Sequence, residues 1–224
     1  MIDRAVENCY NIKDNTTYVG GVLMDRITEN FLKEFSKNFD FEKLDICGQF
    51  EYFADYCAIA NETNTVDIDL QDMSTGDSTQ GIDGIAIEIN GRYIQHISEI
   101  DDIIKYNKSI NVTFVLVQAK TSEEFNNTLI GNFLNFVKIF FSDNTTVFKT
   151  DEMKNLIELK NYIFSKSSYM KSRNPNVKLY YVSCGTWNES DTTLNAVISR
   201  YKKDLLDTNL FADVSFIPLV FRNI

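Results

Sequence analysis

The feature that most constrains this chain is the run Val112-Thr113-Phe114-Val115-Leu116-Val117, which passes without a break into Gln118-Ala119-Lys120. A strand with one wet face alternates apolar and polar residues, whereas a near-continuous apolar run marks a strand buried on both faces. Such a strand belongs inside a sheet flanked by helices, so the expected class is α/β with a mixed central sheet. The polar triplet falls at that strand's end.

The remaining segments supply the flanking elements. Val22, Leu23, Ile27, Phe31, Leu32 and Phe35 recur at three- to five-residue intervals, which predicts an amphipathic helix over 18–35 within an N-terminal helical extension, 1–40, ahead of a core spanning 41–224. A second helix is expected over 44–61, then a short strand and loop over 67–80. A strand over 84–89 turns at Asn90-Gly91 and returns over 92–94 as a hairpin. Helices follow over 98–106, capped by Ser98, and over 123–141, 151–166 and 191–206, with strands over 177–183 and 214–217. Phe133, Phe136 and Phe140 read as core. The chain closes at Ile224 on a strand-like run without a cap, which suits the N-terminal part of a longer protein.

With 44% hydrophobic and 24% charged residues the chain is expected to be compact. Its 22 basic and 32 acidic side chains give a formal charge of -10, the wrong sign for holding a polyanion through the summed field alone. A bound cation reverses that sign locally. Cys9, Cys47, Cys57 and Cys184 form no CxxC pair, and His96 is the one histidine, so a Cys/His zinc site is not expected. Met1-Ile2-Asp3-Arg4 begins no apolar signal core, and no stretch approaches the roughly 20 apolar residues of a membrane span, so a cytoplasmic protein without membrane contact is expected.

Residues i and i+2 of a strand share a face, so Gln118 and Lys120 point one way and Ala119 the other, leaving the Ala119 carbonyl as a possible ligand. Asp83, in Gly81-Ile82-Asp83-Gly84-Ile85-Ala86, would meet them from the neighbouring strand. A carboxylate, an amide oxygen and a carbonyl make an oxygen set for Mg²⁺ or Mn²⁺, and Lys120 would orient the attacking water or stabilise negative charge on a phosphate. On the second helix, Glu51 falls at the border of the apolar face, where it could face the site and bind a second metal or pair with Lys120. Each residue alone has a plainer account: a turn former for Asp83, a strand end for Gln118 and Lys120, a solvated helix position for Glu51. The order in which they occur together favours chemistry.

Gly-Ile-Asp-Gly-Ile-Ala-Ile at 81–87, Asn90-Gly91-Arg92 and Val112 to Ser122 with Phe125 resemble the N-terminal region of the AIPR proteins, abortive-infection phage-resistance factors of bacteria. Ile130-Gly131-Asn132-Phe133, Phe140-Phe141 and Leu179-Tyr180-Tyr181-Val182 before Gly185 and Trp187 extend the likeness over roughly Phe50 to Trp187. The Gly-Ile-Asp-Gly and Gln-x-Lys elements are also similar to Mrr-type restriction nucleases. The resemblance implies a restriction-endonuclease-like PD-(D/E)xK core with Asp83, Gln118 and Lys120 on the motif and Glu51 as a looser match. It departs from the general pattern in carrying glutamine for an anionic ligand. What it implies about function is a metal-dependent endonuclease acting on DNA, less so RNA, in antiphage defence. A homodimer would suit cutting of both strands, and the large C-terminal region of AIPR proteins would be a further domain or partner. The alternative is a nuclease-like binding or sensing module whose acidic surface engages a protein.

Overall fold

The computed structural model describes residues 16–19, 22–62, 69–76, 81–122 and 125–221. Its centre is a five-stranded sheet of β3 (Gly84–Ile89), β4 (Arg92–Tyr93), β5 (Val112–Lys120), β6 (Asn176–Ser183) and β7 (Asp213–Val220), in the order β4-β3-β5-β6-β7. The β4-β3-β5 half is antiparallel and the β5-β6-β7 half parallel, so the sheet is mixed. Parallel neighbours need long crossovers. Helices α4 (Asn127–Phe141) and α5 (Asp151–Ser165) supply the first, and α6 (Thr192–Leu206) the second.

Strand alternation divides the core into two layers. Ile85, Ile87, Phe114, Leu116, Leu179 and Val214 pack on one face with the apolar sides of α4, α5 and α6 and of α3 (Ile97–Asn107). Ala86, Val115, Val117, Ala119, Tyr180, Val182 and Leu219 pack on the other with α1 (Arg26–Asn38) and α2 (Ile46–Ala60). Every β5 residue from Val112 to Ala119 is buried, as its unbroken apolar run requires. Pro218 sits in edge strand β7, where a missing N–H is tolerated.

Several boundaries differ from the sequence expectation. The helix expected from residue 18 begins at Arg26, because Asp25 caps it by accepting the Ile27 and Thr28 N–H groups at 2.9 and 3.0 Å. Ahead of it β1 (Thr16–Val19) and β2 (Val22–Asp25) pair as an antiparallel ladder, which suits their threonines and valines. Residues 1–15 of the expected helical extension lie outside the described residues. In the expected strand of 67–80, the described part is a 3₁₀ turn, Leu70–Met73, and a bridge from Ser74 to Gly84; 67, 68 and 77–80 lie outside it. Helix α3 starts at Ile97 rather than after Ser98, since Glu99 reaches back to the N–H groups of Gln95 and His96 at 2.9 and 2.8 Å. Strand β5 continues through Gln118-Ala119-Lys120, so the polar triplet is part of the ladder.

Candidate active site

Asp83 stands immediately before β3, and its backbone is fixed from both sides. Its N–H donates to the Val117 carbonyl at 2.9 Å, and its carbonyl accepts the Thr75 N–H at 3.2 Å. The Thr75 hydroxyl also donates to the Ile82 carbonyl at 2.6 Å. The side chain continues the sheet where β3 has ended: Oδ2 accepts the Ala119 N–H at 2.7 Å and the Gln118 Nε2, with Lys120 Nζ at 3.6 Å. Ladder hydrogen bonds lie in the sheet plane, so the Asp83 carboxylate is held level with the sheet, with its side chain largely buried. Burial pushes its carboxyl above the usual range, while Lys120, the Ala119 N–H and Gln118 pull it back.

Asp83, Gln118 and Lys120 are thus brought together as expected of their order. Gln118 is buried, and Lys120 is one-third exposed on its side chain, so this side chain reaches solvent while Gln118 does not. The Ala119 carbonyl receives a long contact of 3.4 Å from Gln118 Nε2. With Nε2 turned to Asp83, the amide must turn over to offer its oxygen to a cation beside that carboxylate.

From the opposite face comes Asp55, a residue the sequence reading passed over. Helix α2 is capped by Asp45, which accepts the Gly48 N–H at 2.8 Å, and from Phe53 to Ile59 it is buried without interruption. Asp55 lies in that run at 1% exposure, and among the described residues its Oδ1 has no hydrogen-bond partner. Its carboxyl occupies the space a side chain at Gly84 would need: a Cβ there would stand 2.2 Å from Oδ1 and 2.5 Å from Oδ2. Burial, then the charge of Asp83, then that of Glu51, raise its affinity for a proton well above the ordinary carboxylate. Glu51, half-buried and one turn earlier on α2, is therefore within electrostatic reach of Asp55.

Tyr181, expected from the sequence as a strand residue and not as part of the site, pairs in register with Gln118 across β5 and β6, is fully buried, and among the described residues its hydroxyl has no partner. Burial and then Asp83 raise its phenol above the ordinary range.

The residues that could hold a hard cation are an orphaned buried carboxylate oxygen on Asp55, the Asp83 carboxylate whose charge it feels, and the neighbours gathered beside Gly84. Among the described residues no group of three or more His, Cys, Asp or Glu side chains forms a ready cage. Asp55 and Asp83 would therefore share the ion with the Gln118 amide, the Ala119 carbonyl and waters, an arrangement that suits Mg²⁺ or Mn²⁺ and not zinc. Compared with protein-family models, with curated proteins and with solved structures, the chain matches none. Among the described residues no helix is long and apolar enough to cross a membrane.

Proposed function

We propose that this chain is a divalent-metal-dependent endonuclease with a restriction-endonuclease-like PD-(D/E)xK core, cutting DNA in preference to RNA in antiphage defence. The observation that carries the reading is buried Asp55, whose Oδ1 has no hydrogen-bond partner among the described residues, within electrostatic reach of Asp83, which itself meets Gln118 and Lys120. A cation bound there would supply Lewis-acid activation of the phosphate and of a water. The chain's own residues do the rest. Asp83, held by Thr75, Val117 and Ala119, keeps its carboxylate fixed relative to the β5 end. Asp55, whose burial and acidic neighbours favour its protonated form, would have to release that proton to solvent for its carboxylate to hold a cation beside Asp83. Lys120 places its ammonium at the solvent side, to orient the attacking water or to meet negative charge on the phosphate as the bond to the leaving oxygen breaks. The AIPR resemblance supports the defence role, and Lys120 rather than the acidic net field supports the choice of a phosphate substrate.

A nuclease-like binding module is the second reading, favoured by the net charge of -10. Calorimetric titration separates the two. The nuclease reading expects Mn²⁺ to bind the wild type and to lose most of its affinity in Asp83→Ala. No heat with Mn²⁺ or Mg²⁺ at millimolar concentration would overturn it in favour of the module.

A further inference from the structure

Asp83, Gln118 and Tyr181 make one row across three neighbouring strands. The antiparallel register that pairs Gly84 with Val117 sets Asp83 opposite Gln118, and the parallel register of β5 with β6 sets Gln118 opposite Tyr181. Adjacent strands lie about 4.8 Å apart, so Gln118 stands between the residue that carries the carboxylate and the residue that carries the phenol. Gln118 and Tyr181 also share a face. Leu116, two residues before Gln118, and Leu179, two before Tyr181, pack with Tyr181 itself in the layer under α4, α5 and α6.

The phenol ring has little freedom in that layer. Phe125 and Phe133 flank it at centroid distances of 5.5 and 6.3 Å, and the residue is fully buried. Its hydroxyl has no hydrogen-bond partner among the described residues, whereas a buried tyrosine hydroxyl ordinarily finds one. Burial and the Asp83 charge keep the hydroxyl protonated, so it can donate one hydrogen bond and accept others. At the other end of the row, Gln118 gives its Nε2 to Asp83 Oδ2. An amide that turns its oxygen to a cation beside Asp83 sends its NH₂ group away from β3, and in a buried space that group needs an acceptor. On the β6 side of the row stands the Tyr181 hydroxyl.

We infer that Tyr181 is the positioning residue for Gln118, its hydroxyl accepting the Gln118 Nε2–H when the amide oxygen turns to a divalent cation at Asp83. The inference rests on the divalent-metal reading of the site. It gives the buried hydroxyl a partner that forms only when the site is loaded, and it explains how a neutral amide can stand where an anionic ligand is usual: the hydrogen bond behind the amide fixes which of its two ends faces the ion. Partners of this kind contribute about 10- to 100-fold to metal affinity.

Tyr181→Phe separates this role from packing, since it removes the hydroxyl and keeps the ring. With no hydrogen bond to lose, the metal-free variant should melt at the wild-type temperature or above it. In calorimetric titration it should bind Mn²⁺ about tenfold more weakly than the wild type. In a Gln118→Glu background, where a carboxylate has no N–H to place, the same substitution should leave Mn²⁺ affinity unchanged. Wild-type affinity in Tyr181→Phe, a lowered melting temperature of the metal-free variant, or an equal loss of affinity in both backgrounds would each overturn the inference while leaving the metal reading in place. Absence of Mn²⁺ binding by the wild type would overturn that reading and the inference with it.

Discussion

Asp55 carries the strongest consequence of any single residue. A carboxyl that binds its proton more tightly folded than unfolded takes up a proton on folding, so its contribution to stability is lost as pH rises from the unfolded value near 3.8 through the higher folded value. Within that window the folded protein holds Asp55 protonated, and above it the folded protein buries a charge beside Asp83 and Glu51. Asp55→Asn removes the titration, so its melting temperature at neutral pH should exceed that of the wild type, by about 1–3 kcal/mol in stability, or roughly 2–10 °C for a chain of this size. Thermal melts between pH 4 and 8 check this: the wild type should lose stability relative to the variant as pH rises. Millimolar Mn²⁺ should raise the melting temperature of the wild type more than that of the variant. A parallel pH dependence in the two proteins would exclude Asp55 as the titrating group.

Between elements, the contact that makes the site is Gly84 of β3 against Asp55 of α2. Its backbone is unremarkable in torsion, so the constraint is space alone: Gly84→Ala places a methyl within 2.5 Å of three carboxyl atoms on a buried helix. Destabilisation of about 1–3 kcal/mol is expected from overpacking. Asp55→Ala in the same chain should restore the stability without restoring activity, since the carboxylate is gone; a denaturant melt beside a cleavage assay reads both. Thr75→Val removes the hydroxyl bond to the Ile82 carbonyl and should cost about 1 kcal/mol. It should lower turnover more than substrate affinity, because it loosens the segment that aims Asp83.

What was legible in the sequence follows the same contacts. The unbroken run of β5 and the alternation rule place Gln118 and Lys120 on one face, and the tight turn at Asn90-Gly91 marks the β3–β4 hairpin, while it is the pairing of β3 with β5 that brings Asp83 alongside. Asp55 was not legible by the same means. Periodicity describes a helix with one apolar stripe, whereas α2 is sandwiched between α1 and the sheet, and its residues 53–59 are buried all round. An aspartate inside the otherwise uncharged Phe53-Ala54-Asp55-Tyr56-Cys57-Ala58-Ile59 is the one signal the sequence offers for it. The hairpin of β1 and β2 was missed because the apolar spacing over 22–35 suits a helix equally well until the cap at Asp25 is placed.

For the whole molecule, the acidic balance and the candidate site impose opposite demands on a polyanionic substrate. A formal charge of -10 opposes approach of nucleic acid. On this account the substrate is held at one place, where Lys120 and a bound cation offset the two carboxylates. The mixed sheet serves that arrangement: antiparallel β3 brings Asp83 to the end of β5, and the parallel half beyond it buries β5 so that Gln118 and Lys120 emerge from a rigid support.

Cleavage of supercoiled plasmid, single-stranded DNA and RNA in Mg²⁺ or Mn²⁺ tests the central claim most directly, with Asp83→Ala and Lys120→Ala run beside the wild type and their folding checked by circular dichroism. The account predicts that the wild type cuts DNA only with the metal present and that both folded variants lose cleavage by at least about a hundredfold, the scale set by removing a group that stabilises transition-state charge. Full activity in both folded variants would contradict it.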